Sequence, residues 1–184
     1  MFDKVLISNR GEMAVRIIRA CRDIGIRTVA IYSEADADAL HVKMADESVC
    51  VGPAPSLSSY LNVPHIIAAA LNTGCDAIHP GAGFLAENAY FSEVCRRYHI
   101  TFVGPTPENI RAMGDKTQAR AAAQASGLPV VPGSDGAVSD VNEAKSLARD
   151  IGFPVMLKAS AGGGGRGIRC AHDVDELIAL FPLA

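Results

Sequence analysis

The residues with the clearest chemical content lie in "GFPVMLKASAGGGGRGIRC", Gly152 to Cys170. A short apolar run delivers Lys158, and a run of glycines and Arg166 follow. Glycines lack a Cβ, so their backbone N–H groups can approach anionic oxygens closely, and a strand-borne lysine supplies a fixed positive charge for the same oxygens. Each glycine costs roughly 0.5–1 kcal/mol relative to alanine in an ordered element. Keeping four in a row therefore points to a backbone contact such as a lid over a polyphosphate. Taken alone, the run equally suits a surface hairpin without a ligand. A second cation tips the balance: "MGDK" places Lys116 at a helix start, and two lysines with a glycine lid suit one polyphosphate. The loop is not a Walker A motif, because no Lys-Ser/Thr pair follows the glycines.

These groups need a scaffold, and the pattern of the chain supplies one. "KVLIS" reads as a strand and "NRGEMAVRIIRACRDIG" as a helix. In that helix Met13, Ile17, Cys21 and Ile24, with Ala14 and Ile18 beside them, form an apolar face. Asn9 is read as its N-cap, with Glu12 reaching back in a capping box, and Gly25 as its stop. "TVAIY" completes a βαβ unit, whose crossover implies a parallel sheet. "ESVCVG", a helix capped by Asn62 with Pro64 in its first turn, "CDAIHP", the helix "AYFSEVCRRYH" and "ITFVGP" continue the alternation. The first βα turn, "SNRGEM", lacks the G-x-G-x-x-G fingerprint, so NAD or FAD is not expected there. The expected fold is α/β: a Rossmann-like open parallel sheet over residues 1–113, then an incomplete α+β segment over 114–184 with helices "DKTQARAAAQASG" and "VNEAKSLARDIG" and the strand "FPVMLKA". The final run, "DVDELIALFPLA", has helical spacing and reads as a chain cut in mid-domain.

Composition narrows the class. The 184 residues are 49% hydrophobic with a net charge of −3, so no basic excess points to nucleic acid or an anionic membrane. The apolar run near the N-terminus is too short for a signal peptide or a membrane span. Five scattered cysteines without C-x-x-C spacing argue against a disulfide framework or a zinc site, and for reduced thiols in a cytoplasmic protein.

Six segments in order, "ISNRGEMAVRIIRACRDIGI", "YLNVPHIIAAA", "AIHPGAGFLAEN", "FVGPTPENIRAMGDK", "VPGSDG" and "GFPVMLKASAGGGGRGIR", closely resemble biotin carboxylase, the ATP-grasp component of acetyl-CoA carboxylase and its relatives. The resemblance covers essentially the whole chain. It implies an ATP-dependent ligase that activates bicarbonate with ATP and passes the carboxylate to biotin on a carrier protein. It further implies that Lys116 and Lys158 meet the ATP phosphates and that Gly163, Gly164 and Gly165 belong to the lid. Ala82, Gly83, Glu87 and Asn88 would lie beside the biotin cleft, and the helix bearing Arg16 and Arg19 would form a homodimer interface. A biotin carboxyl carrier protein and a carboxyltransferase are the implied partners; ATP, Mg²⁺ and biotin as carried substrate are the implied cofactors. Two departures stand out. Ala82 replaces the tyrosine of H-P-G-Y-G-F-L, and Ala161 takes the place of the first of five glycines. The family's magnesium ligands, adenine pocket and catalytic base lie beyond Ala184, so the expectation for these 184 residues alone is no activity, no catalytic residue and no metal ligand. Two other readings stay open: a non-catalytic paralogue serving as a dimerisation module, and another ATP-grasp ligase such as carbamoyl-phosphate synthase.

Overall fold

The computed structural model describes residues 2–134, 136–158 and 167–183. The chain divides into two compact units, residues 1–111 and 112–184.

The first unit is built on β1 (Lys4–Ile7), α1 (Gly11–Asp23), β2 (Arg27–Ser33), a short helix α2 (Leu40–Met44), β3 (Glu47–Gly52), α3 (Val63–Asn72), β4 (Ala77–His79), α4 (Ala89–Arg97), β5 (Thr101–Phe102) and α5 (Pro107–Gly114), whose last turn enters the second unit. The five strands form one parallel sheet in the order β3-β2-β1-β4-β5. The strand order reverses between β1 and β4, so the carboxyl ends of those two strands frame the crevice where open α/β sheets place their sites. Both faces of the sheet are covered, which is why its central strands are continuously apolar rather than alternating. Successive residues of β1 serve opposite layers: Val5 and Ile7 pack with α1, Leu6 with the cluster that includes Ile66 of α3 and Phe91 of α4.

Local chemistry explains the helix limits, with two corrections. In α1 the buried residues are Ala14, Ile17, Ile18 and Cys21, at the spacing of one helical face. Ile24, expected on that face, is the C-cap residue and is exposed, because the helix has already ended and Gly25 turns the chain at φ +75°. The capping box does not form: Arg10 is the N-cap and makes no side-chain cap bond. Asn9 is instead committed across the sheet, as described below. The expected cap of α3 is present, with the Asn62 side chain accepting from the His65 N–H.

The second unit contains α6 (Lys116–Ala125), α7 (Val141–Ile151), the antiparallel pair β6 (Val155–Lys158) and β7 (Ile168–Ala171), and α8 (Val174–Leu180). Aspartates cap all three helices: Asp115, Asp140 and Asp173. Its core is small, formed by Ala144, Ala148, Ala171 and Leu177 with Val155 and Phe153 packed against them. Three of the five cysteines, Cys21, Cys75 and Cys95, are buried as expected of small apolar residues, whereas Cys50 and Cys170 are exposed. Among the described residues no helix is long and apolar enough to cross a membrane.

Candidate functional site

At the switch point the ends of β1 and β4 are tied together. The Ser8 N–H donates to the His79 carbonyl (3.0 Å). The Asn9 carboxamide, buried under the loop after β4, donates to the carbonyls of Pro80 (2.8 Å) and Ala82 (2.9 Å) and accepts from the Arg10 N–H (2.9 Å). Its hydrogen-bonding capacity is thus spent on protein, in the crevice where a Rossmann dinucleotide would sit. Gly81 follows at φ +68°, and a Cβ there would lie 2.8 Å from Asn9 Nδ2 and 2.7 Å from Met13 Cγ. The Gly81 N–H donates to His79 Nδ1 (3.0 Å), which makes that nitrogen the acceptor. Burial holds the His79 imidazole below its usual range, toward the neutral form.

A second layer supports the same loop. Arg10 makes a bidentate pair with Asp36, Nε to Oδ2 and Nη2 to Oδ1, each at 2.6 Å. The Tyr60 hydroxyl donates to Asp36 Oδ2 (2.5 Å) and accepts from the Ser33 N–H (2.9 Å). The Tyr60 ring stacks on Phe84 with centroids 5.3 Å apart and planes at 25°. The Arg10 bond, with help from the Tyr60 hydroxyl and against burial, holds the Asp36 carboxyl far below the usual carboxylate range. Burial, then the bond to Asp36, pushes the Tyr60 phenol up.

The residues named from the sequence fall into three places. Ala82, Gly83, Glu87 and Asn88 share the loop between β4 and α4. Ala82, Gly83 and Glu87 are exposed, while half-buried Asn88 caps α4 by accepting from the Phe91 N–H (2.9 Å). Arg16 and Arg19 lie one turn apart on the exposed face of α1. Lys116 and Lys158 both belong to the second unit, where Lys116 opens α6 after the Asp115 cap and Lys158 closes β6. Lys158 alternates with the half-buried Val155 and Leu157, of which Val155 packs on the core, so it shares the outer face of the hairpin with Met156, Cys170 and Ile168. Gly163, Gly164 and Gly165 lie outside the described residues. Among the described residues no group of three or more His, Cys, Asp or Glu side chains could hold a metal ion.

The Arg10–Asp36–Tyr60–Phe84 chain went unread in the sequence, where no periodicity links positions so far apart. Asn9 carries a signal, a polar residue directly at the end of an apolar strand, and the structure gives it the carbonyls of Pro80 and Ala82 in place of the expected helix cap.

The first unit is thus an open parallel α/β sheet with a tied loop at its switch point, and the second unit holds helices and an antiparallel hairpin that carry Lys116 and Lys158. The family described as "Biotin carboxylase, N-terminal domain" matches residues 1–110, and "Carbamoyl-phosphate synthase L chain, ATP binding domain" matches residues 115–184. The chain belongs to the biotin carboxylase family. It is 58% identical over 180 residues to the biotin carboxylase of Nostoc sp. and 60% identical over 178 residues to biotin carboxylase 1 of Bacillus subtilis, covering 98% and 97% of this chain. It spans 40% of the length of each of these relatives. Among solved structures, a Campylobacter jejuni biotin carboxylase–β-γ-ATP complex superposes with a TM-score of 0.91 at 49% identity, covering 98% of this chain and 41% of that one. The biotin carboxylase domain dimer of Hydrogenobacter thermophilus 2-oxoglutarate carboxylase, in complex with MgADP, ADP and bicarbonate, gives 0.88 at 53% identity, covering 99% and 40%.

Proposed function

We propose that the chain supplies the N-terminal portion of a biotin carboxylase, an ATP-dependent ligase that carboxylates carrier-bound biotin from bicarbonate. The observation that carries this reading is the outer face of the β6–β7 hairpin. There a cation, Lys158, stands among exposed apolar side chains, Met156 and Ile168, a combination suited to a ligand that is apolar at one end and polyanionic at the other. Lys116, at the N-terminus of α6, adds a second cation beside a helix end that favours anions. The two lysines bind and orient the phosphates. Ala82, Gly83, Glu87 and Asn88 lie beside the bound biotin, and Arg16 and Arg19 face a second copy in a homodimer. A biotin carboxyl carrier protein and a carboxyltransferase complete the cycle, in the cytoplasm. The magnesium ligands and the base belong to the share of the relatives that this chain does not span, so residues 1–184 alone release no ADP. The biotin carboxylase relatives, matched along nearly the whole chain, favour this reading over carbamoyl-phosphate synthesis.

The test joins residues 1–184 to the remaining portion of the Bacillus subtilis enzyme and measures ADP release with and without bicarbonate and free biotin. Bicarbonate-dependent turnover is expected. Lys158→Gln or Lys116→Gln should each cost about 1.5–3 kcal/mol of transition-state or ATP binding, roughly ten- to a hundredfold in kcat/KM for ATP. A folded, dimeric chimera without bicarbonate dependence would overturn the reading in favour of a non-catalytic interaction module.

A further inference from the structure

We infer that Asn9 and Tyr60 are positioning residues that hold the Pro80–Leu85 segment as a fixed rim, and that the Arg10–Asp36 pair acts on the same segment through Tyr60. Two independent contacts converge on six residues of loop. At its start, both donors of the buried Asn9 carboxamide are used on Pro80 and Ala82, and Gly81 passes so close beneath them that a Cβ would press on the Asn9 amide and the Met13 side chain. At its end, Phe84 adopts φ +43°, a conformation uncommon for a bulky residue and kept only where the surroundings impose it. What imposes it is the stack on Tyr60, a residue 2% exposed whose hydroxyl is fixed by Asp36 and the Ser33 N–H. Asp36 in turn is locked by Arg10. Asn9 and Arg10 are neighbours in one turn. That turn therefore reaches the loop twice, directly through an amide and indirectly through a guanidinium, a carboxylate, a phenol and a ring. Phe84 is 38% exposed, so its ring adds little to the core, and its contact with Tyr60 serves the loop's shape more than the fold's stability.

The consequence for biotin rests on the reading given under Proposed function; the positioning itself does not. Hydrogen exchange on the 184-residue chain separates the two. The reporters are the amides of Gly81, bonded to His79 Nδ1, and Ala86, bonded to the Gly83 carbonyl at 2.9 Å. Phe84→Ala and Asp36→Asn should each speed exchange at these amides by roughly tenfold or more, with β1 and β4 protection unchanged. Phe84→Tyr, which keeps the ring, should retain the parental rates. Unchanged exchange at Gly81 and Ala86 in Phe84→Ala, or a uniform rise across the whole sheet, overturns the inference; Phe84 is exposed enough for that variant to fold. Asn9→Ala adds a second arm with the same expected signature. In the chimera, Phe84→Ala should raise the KM for free biotin severalfold and leave the KM for ATP in place. Faster exchange with an unmoved biotin KM would uphold the positioning and remove the loop from the biotin site.

Discussion

The loop after β4 in the first unit and the hairpin of the second unit are built in opposite ways. The loop sits over a sheet with fully buried side chains on both faces and is held by buried polar groups whose partners are all protein. Among the described residues the hairpin covers a core of four buried side chains on one face and leaves Met156, Lys158, Ile168 and Cys170 exposed on the other. Shape is prepaid in the first region and deferred in the second. Rigid positioning suits recognition of a small, uncharged ring, whereas an open, charged face suits a ligand that brings its own electrostatics.

Core truncation should separate the two units by the widest margin. Leu6→Ala, in the larger cluster, is expected to destabilise the first unit by about 2–5 kcal/mol, and Leu177→Ala the second by a similar amount. The same loss weighs more on the second unit, because so few other side chains share its core. Exchange measured segment by segment should show Leu177→Ala abolishing protection in α7 and α8 while β1 and β4 keep theirs. Equal loss everywhere would mean the two cores are one cooperative unit.

A glycine pair within the loop offers a sharper cut. Gly81 and Gly83 have nearly the same φ, +68° and +73°, yet a Cβ at Gly81 meets Asn9 and Met13 while one at Gly83 meets nothing within 4 Å. Gly83→Ala should therefore cost about 1 kcal/mol, from backbone conformation alone. Gly81→Ala should cost about 1–3 kcal/mol, because the Asn9 amide must also give way. Equal thermal shifts in the two variants would mean Asn9 yields freely and clamps nothing.

Acid should act on the first unit from one direction. Burial lowers the His41 and His79 values, so each contributes stability that is present above about pH 6.5 and lost as pH falls through its folded value. Asp36, lowered chiefly by Arg10, contributes stability present above about pH 4 and lost further down. The unfolding free energy of the first unit should fall between pH 7 and 5 with a slope of at most about 1.4 kcal/mol per pH unit for each histidine. His41→Gln should flatten that slope; a slope unchanged in this variant removes His41 from the account.

Much of this was legible before any coordinates. The sheet strands and the helices α1, α3, α4, α6 and α7 follow from runs and periods, because burial on both faces of a parallel sheet writes itself as continuous apolar strands between amphipathic helices. What stayed hidden has physical reasons. The five-residue α2 is too short to show a period, and β7 is largely exposed, so no buried face marks it. Asn9 looked like a cap because capping and cross-loop bonding draw on the same small amide, and only the sheet order decides which partner is near. Asp36 and Tyr60 meet across 24 positions, and periodicity reports faces, not pairs. The lysines were legible as cations by an element end; what they meet depends on chain that no local pattern describes.

The smallest expected effect tests whether the rim is fixed independently of what its exposed side chains are. Ala82 offers its carbonyl to Asn9 while its own position is exposed, so the loop uses the backbone of this residue and leaves its side chain exposed. Ala82→Tyr should then change thermal stability by no more than about 0.5 kcal/mol, the range of an ordinary surface substitution. Exchange at Gly81 and Ala86 should stay at parental rates. On the proposed reading, the added ring in the chimera supplies an apolar surface for biotin, and the KM for free biotin should fall while that for ATP holds. A large loss of stability would show that the loop is packed more tightly at residue 82 than its exposure indicates. An unchanged biotin KM in a stable variant would take residue 82 out of the biotin site and leave the rim with a purely architectural role.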